Sequence, residues 1–240
     1  MGFVLQSARL GKHGFRHGFS LRAAGDFALL RDPEKLRAAQ AAVGEAVGFD
    51  PARLYQVRQV HGARVLEGEG DRVALEREEA DALVGRSTGS RPAVAVRVAD
   101  CVPILLADPE TGDVAAVHAG WRGVEARILQ ASVTSVTRDG SRLVAAIGPC
   151  IGPCCFEVGE DVAERIAAVS APAVVVGRAA PKAYVDLRAA VRAQLRDLGL
   201  ADEAIEDVGA CTRCNPTDYH SFRRDGEASG RLLAVIVAGV

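Results

Sequence analysis

The sequence predicts one domain of mixed helices and strands, on three observations. Short apolar, β-branched runs recur along the chain with Gly, Asp or Pro at their boundaries, as strands require. Between them lie Ala-rich or amphipathic stretches with a helical period. No repeat, low-complexity segment or linker divides the 240 residues, and that length buries a substantial core within one unit, residues 1–240.

The elements follow in order. Asp32-Pro33-Glu34-Lys35 opens a helix, with Pro in the first turn and acids near the N-terminus; the Ala-rich run to Val47 continues it and Gly48 ends it. Strands are expected at Tyr55–Val60, Ala93–Val98, Ile104–Ala107 and Val114–His118. Gly123 to Thr137 carries apolar residues at Val124, Ile128, Ala131 and Val136, an amphipathic helix. Leu143–Ile147 reads as a strand broken by Gly148-Pro149, followed by a helix from about Gly159 to Val169 and a strand at Ala173–Val176. Asp186 caps a helix through Leu198 that Gly199 stops, and Ile205–Gly209 and Leu232–Val237 close the chain as strands. By itself this alternation is equally compatible with a doubly wound sheet.

Composition narrows the function classes. Hydrophobic content of 49% and charged content of 25% describe an ordinary globular protein, and the net charge of −2 is spread without charge runs. A basic nucleic-acid-binding surface is therefore not expected. The start, Met1-Gly2-Phe3-Val4-Leu5-Gln6-Ser7, is too weakly apolar for a signal peptide, and Leu232 to Val240 is far shorter than a membrane span. The expectation is a cytoplasmic protein with neither nucleic acid nor membrane as partner. No heptad or apolar stripe specifies an assembly, so a monomer or homodimer is expected. The six cysteines are unevenly placed, with Cys101 alone, Cys150 near Cys154 and Cys155, then Cys211 and Cys214. This pattern suits reduced thiols, some of them metal-binding, better than a disulfide scaffold.

Three residues at strand ends carry the chemistry. Cys101 follows Val96-Arg97-Val98-Ala99-Asp100, His118 ends Val114-Ala115-Ala116-Val117, and His61 ends Tyr55–Val60. One thiolate and two imidazoles match a mononuclear zinc site with an open fourth position. Its net charge of about +1 would acidify a bound water. Asp100 and Arg97 flank Cys101 and are candidates for orienting the ligands. The competing interpretation makes Cys101 a small core hydrophobe and the histidines local hydrogen-bonding groups. Cys211-x-x-Cys214 with Cys154-Cys155 offers a second zinc set, but no spacing pairs the two groups, and buried thiols packing the core are favoured. His13, His17 and His220 are expected on the surface or behind the site. Trp121 is expected to pack against the ligand loop.

Longer blocks carry a resemblance. They are Gln59-Val60-His61-Gly62, Glu79-Ala80-Asp81-Ala82-Leu83-Val84, Val98-Ala99-Asp100-Cys101-Val102-Pro103-Ile104 and Val117-His118-Ala119-Gly120-Trp121-Arg122-Gly123. Ile147 to Gly159, Cys211-Thr212-Arg213-Cys214-Asn215-Pro216 and Ser221 to Arg231 continue the match. In this order they resemble the YfiH-like laccase-domain family over nearly the whole chain. The resemblance implies an α+β fold, a layered α/β/β/α sandwich with mixed sheets, CNF/YfiH-like. It places metal ligands at His61, Cys101 and His118, and an active-site arginine at Arg22 within Gly18-Phe19-Ser20-Leu21-Arg22. Two departures fall at the pocket edge. Ala23-Ala24-Gly25-Asp26-Phe27 replaces a Gly-rich stretch with an Asn-Leu pair, and Tyr219-His220-Ser221 replaces Phe-Phe-Ser.

The resemblance implies a zinc-dependent purine nucleoside enzyme. Its reactions would be phosphorolysis of adenosine, inosine and methylthioadenosine, with adenosine deamination at the same site; nucleoside and phosphate would be its small-molecule partners. Arg22 would clamp the phosphate. His61, Cys101 and His118 would serve the water that attacks C6 of adenine, with Asp100 a candidate proton carrier. Two alternatives are a Cys101/His118 hydrolase, by Cys–His logic, and a peptidoglycan-editing activity on cell-wall precursors. A true multicopper oxidase is excluded by counting. The chain has five histidines, two already used, and its one methionine is Met1, so neither a trinuclear copper cluster nor an axial thioether is available. Adventitious Cu2+ oxidation of phenols in vitro remains compatible with the ligand set.

Overall fold

The computed structural model describes residues 2–28, 32–87 and 89–239. From the N-terminus run β1 (Val4–Leu5), α1 (Ala8–Lys12), β2 (His17–Ser20), α2 (Pro33–Val47), β3 (Leu54–Tyr55), β4 (Val65–Glu67) and α3 (Arg72–Leu75). The centre holds β5 (Ala82–Gly85), β6 (Ala93–Val98), β7 (Val102–Ala107), β8 (Val114–Ala119), α4 (Trp121–Glu125), α5 (Ile128–Val136) and β9 (Val144–Ile147). Then come β10 (Glu157–Gly159), α6 (Glu160–Ala168), β11 (Val175–Ala179), β12 (Lys182–Val185), α7 (Leu187–Asp197), β13 (Ile205–Asp207), α8 (Phe222–Asp225) and β14 (Leu232–Val237).

Two sheets stack. One is five-stranded in the order β1-β2-β14-β6-β3, the other six-stranded in the order β13-β9-β7-β8-β5-β4, and β10-β12-β11 forms a small third sheet. The pleat sorts each strand into two faces. Val94 and Val96 of β6 and Ala234 and Ile236 of β14 meet Leu105, Ala107, Val114 and Ala116 of β7 and β8 between the sheets. Ala93, Ala95, Leu233 and Val235 turn outward onto Ala39, Val43 and Val47 of α2. Ile104, Leu106, Ala115 and Val117 turn the other way, onto Leu129 and Val133 of α5 and Val191 and Leu195 of α7. The result is the layered α/β/β/α sandwich with mixed sheets, not a doubly wound sheet. Among the described residues, parallel pairing between strands occurs at β3/β6, β4/β5 and β13/β9, with isolated parallel bridges at Arg58/Glu79 and Cys150/Cys211.

Local signals explain the helix ends. The Asp32 carboxylate accepts from the Glu34 and Lys35 amides, Pro33 occupies the first turn and Gly48 closes α2 in the left-handed region at φ 87°. Asp186 accepts from the Ala189 amide at the start of α7. Three expected elements differ. The strand at Tyr55–Val60 stops at Tyr55, because the Gln59 side-chain amide replaces backbone pairing: its Nε2 donates to Arg97 O and its Oε1 accepts the Arg97 amide, both at 2.8 Å. The helix over Gly123–Thr137 is two helices, broken where Arg127 takes a φ of 58°. The strand at Ala173–Val176 starts late, since Pro172–Val174 forms a 3₁₀ turn.

Leu105 is fully buried between the two sheets. Leu105→Ala is expected to cost about 2–5 kcal/mol, measured as a lower urea midpoint with an unchanged slope.

Candidate metal centre

The chain crosses between the two large sheets at β3–β4 and again at β6–β7, and both crossings deliver a side chain to one end of the sandwich. The first carries His61 and the second Cys101. His118 comes from the end of β8, opposite Pro103, on the inter-sheet face shared with Val114 and Ala116. The metal-binding atoms of His61, Cys101 and His118 lie within 4.8 Å of one another. His118 is buried, Cys101 half-buried and His61 exposed, so the set has a closed floor and an open mouth. The two imidazole rings meet edge to face at 4.8 Å between centroids.

One buried carboxylate arranges this. Asp81 is fully buried at the start of β5. Its Oδ1 accepts from the His61 amide at 2.9 Å and from His118 Nδ1 at 2.8 Å. Its Oδ2 accepts from the Gly62 amide at 2.6 Å and the Val60 amide at 3.3 Å. With Nδ1 carrying the proton to Asp81, His118 presents Nε2 to the site, the carboxylate–histidine arrangement that fixes a ligand's tautomer. Burial by itself would raise the Asp81 carboxyl; the bonds from His118, Gly62 and His61 outweigh it and hold it below its usual value. Asp81 directly precedes the apolar run Ala82-Leu83-Val84, but nothing in the sequence separates its role from those of the neighbouring acids Glu78 and Glu79.

The donor set fits a borderline-soft divalent cation such as zinc. Burial would raise the Cys101 thiol, but the His118 charge and hydrogen bonds from both imidazoles bring it down to about 6. Burial would lower His118, but the Cys101 thiolate and Asp81 raise it to about 9. Without metal the pair is thus thiolate and imidazolium, and a cation entering the site displaces the imidazolium proton. Gly120 makes the room: a Cβ there would stand 2.8 Å from His61 Cδ2 and 3.0 Å from Cys101 Sγ. His61 and Asp100 both hold left-handed backbone, at φ 62° and 88°.

Around the site is a cavity of about 970 Å³, lined among others by Gln59, Arg97, Trp121, Ile151, Phe156, Phe222, Arg223 and Arg231. Phe222 is 43% exposed at its edge. The Arg97 guanidinium donates to Val57 O at 2.7 Å through Nη2, while its buried Nη1 has no hydrogen-bond partner among the described residues. Burial pulls Arg97 down to about 10, and Arg231 adds to that pull. Glu76, also on the cavity wall, opposes that pull, and the unpartnered Nη1 of Arg97 is the donor left for an anion. Arg97 was expected to orient the ligands beside Cys101; its side chain instead bonds Val57 O and leaves Nη1 without a partner among the described residues, a tertiary feature.

The other expected residues lie as follows. Arg22 is exposed and outside the cavity lining, its guanidinium donating to Pro216 O at 3.0 Å. Asp100 lines the cavity, but its carboxylate accepts from Thr212 Oγ1 at 2.5 Å and the Arg223 amide at 2.6 Å, which assigns it to holding the Cys101 loop. The two sequence departures touch each other, His220 Nε2 donating to Gly25 O at 3.2 Å. His17 and His220 are buried rather than superficial; His17 accepts from the Ser7 amide and donates to Phe15 O. Neither joins a metal-binding group among the described residues. Trp121 packs against the core of the six-stranded sheet with Arg122 and Arg165 over its ring. The four cysteines expected as separate packing thiols instead converge, Cys154, Cys155, Cys211 and Cys214 having their Sγ atoms within 4.8 Å of one another.

Comparisons with known proteins identify the family and the fold. The profile of a family described as multi-copper polyphenol oxidoreductase laccase matches residues 23–239. The chain is 36% identical over 233 residues to a purine nucleoside phosphorylase of Deinococcus radiodurans, covering 92% of this chain and 88% of that one. It is 40% identical over 205 residues to adenosine deaminase RL5 from an unknown prokaryotic organism, covering 79% and 77%. The crystal structure of YlmD from Geobacillus stearothermophilus superposes with a TM-score of 0.86 at 26% identity, covering 98% of this chain and 94% of that one.

Two outcomes test the centre. Asp81→Asn is expected to weaken zinc binding roughly 10–100-fold, read by competition with a chromogenic chelator. In metal-free protein, iodoacetamide labelling of the Cys101 peptide should rise with pH through a midpoint near 6 and level off above it, because the thiolate is the reactive form. His118→Ala should move that midpoint up toward the ordinary 9.0.

Proposed function

The chain belongs to the family described as multi-copper polyphenol oxidoreductase laccase, and from its thiolate–imidazole centre we propose that it is a zinc-dependent purine nucleoside enzyme. Its reactions are phosphorolysis of adenosine, inosine and methylthioadenosine, and adenosine deamination. The observation that carries the reading is the convergence of His61, Cys101 and His118 at the floor of a cavity large enough for a nucleoside, with arginines and aromatic rings on its walls. The phosphorylase and deaminase relatives point the same way.

His61, Cys101 and His118 would hold the zinc, which when bound supplies Lewis acidity and lowers the pKa of water. Asp81 keeps His118 in the ligating tautomer. The exposed ring of Phe222 at the rim offers a stacking face for a purine. In phosphorolysis, a phosphate oxygen forms the bond to C1′ of the ribose while the C–N bond breaks and its electron pair leaves with the purine. Arg97, with its free Nη1, and Arg231 would hold that phosphate. In deamination, water adds at C6 and ammonia leaves. Arg22, exposed and outside the cavity lining with Nη1 donating to Pro216 O, is the alternative phosphate ligand.

A second reading has its own support. The metal-free Cys101 thiolate beside the His118 imidazolium is the ground state of a Cys–His nucleophile, which suits a hydrolase acting on cell-wall precursors. Stoichiometric zinc that protects Cys101 from alkylation, together with turnover of nucleosides, would retire it.

The deciding assay is phosphate-dependent release of adenine and ribose 1-phosphate from adenosine. Arg97→Gln is expected to raise the KM for phosphate at least about tenfold, while Arg22→Ala leaves it near the wild-type value. The reverse pattern would return the phosphate to Arg22. No release from any nucleoside by zinc-loaded protein would overturn the reading.

A further inference from the structure

We propose that Cys154, Cys155, Cys211 and Cys214 bind a second metal ion, in a closed tetrathiolate site of the zinc class that fastens the wall of the substrate cavity. The four Sγ atoms lie within 4.8 Å of one another, with Cys154 and Cys155 standing 3.6 and 3.3 Å from Cys214. A tetrahedral zinc with bonds of about 2.3 Å needs sulfurs about 3.8 Å apart, so small shifts convert this cluster into a ligand shell. Its surroundings are built for sulfur. The Gly152 amide donates to Cys211 Sγ at 3.2 Å, which offsets charge on a thiolate. A Cβ on Gly152 would stand 3.2 Å from Cys211 Cβ and 3.4 Å from Cys154 Sγ, so a glycine lets the loop close over the cluster.

The chemistry selects a metal over a redox pair. A disulfide joins two thiols and needs an oxidant, whereas here four converge on one point. Binding a divalent cation requires neither oxidation nor reduction: four S–H bonds give up protons to solvent as four metal–sulfur bonds form. With all four positions filled by protein, the ion has no place for substrate and its role is structural.

The cluster joins two loops that shape the first site. One loop supplies Ile151 and Phe156 to the cavity wall. In the other, Thr212 sits between the paired cysteines and donates to Asp100, the neighbour of Cys101. The Thr212 amide also donates to Cys150 O at 3.0 Å. A metal here would hold that Thr212–Asp100 link in place, and the inference stands whether or not the first site acts on nucleosides.

The test is metal counting on full-length protein purified under reducing conditions and incubated with zinc. Wild type is expected to retain about two zinc ions per chain after dialysis and the double variant Cys101→Ser/His118→Ala about one, held by the tetrathiolate cluster. Cys214→Ser, which alters an exposed thiol, is expected to lose one. With Co2+ alone, the double variant should show the thiolate-to-cobalt charge-transfer absorption of a four-sulfur site, and Cys214→Ser should lose it. Wild type retaining one zinc, lost on changing Cys101 and His118 and indifferent to Cys214→Ser, would overturn the proposal. So would an intact mass two hydrogens low in the reduced preparation, placing a disulfide in the cluster.

Discussion

A carboxylate with no access to water must find enough hydrogen donors inside the protein to remain charged, and Asp81 finds four: the amides of Val60, His61 and Gly62 and the Nδ1–H of His118. Meeting that demand pulls the His61 loop against β5 and turns the His118 ring so that its other nitrogen faces Cys101. Two of the three candidate metal ligands are thus placed by one anion outside the ligand set. Removing the charge would release the loop and the ring together.

The sandwich supplies the rest by topology. A strand pair within one sheet would leave its loop over that sheet's edge; a chain that passes from one sheet to the other exposes its connection across the end of the inter-sheet layer. Because two such crossings fall at the same end as the terminus of β8, residues remote in sequence meet over a rigid apolar base. The base gives the ligands little freedom, and a site of this kind gains from rigid support. The α8 segment with Phe222 and Arg223 borders the cavity.

Much of this was legible in the residues. Apolar, β-branched runs bounded by Gly, Asp or Pro marked the long central strands, capping residues marked α2 and α7, and thiol and imidazole types at strand ends marked three side chains that the fold brings together. What escaped was of two kinds. Short strands such as β1, β2 and β4 carry too few residues for a pattern, and the loss of strand after Tyr55 depends on a side chain, Gln59, imitating a backbone. Convergence escaped as well. Nothing in the spacing of Cys154-Cys155 and Cys211-x-x-Cys214 says that their loops close on each other, since Thr212, Asp100 and the parallel bridge between Cys150 and Cys211 bring them together. Asp81 was hidden by the same logic: its value lies in donors from three other segments. The resemblance names Arg22 as the active-site arginine; the fold adds Arg97, Arg223 and Arg231 to the cavity wall, a grouping that no spacing in the sequence marks.

The left-handed backbone at His61 and Asp100 sets stability against chemistry. A residue with a Cβ in that region is disfavoured by roughly 1 kcal/mol relative to glycine, so each position would relax if glycine replaced it. Glycine at 61 would remove an imidazole, and at 100 it would cut the ties to Thr212 and Arg223. Random improvement of the fold therefore runs against the site at these two points. A lineage drifting toward greater thermal robustness would be expected to lose its chemistry here first, while its core stayed intact.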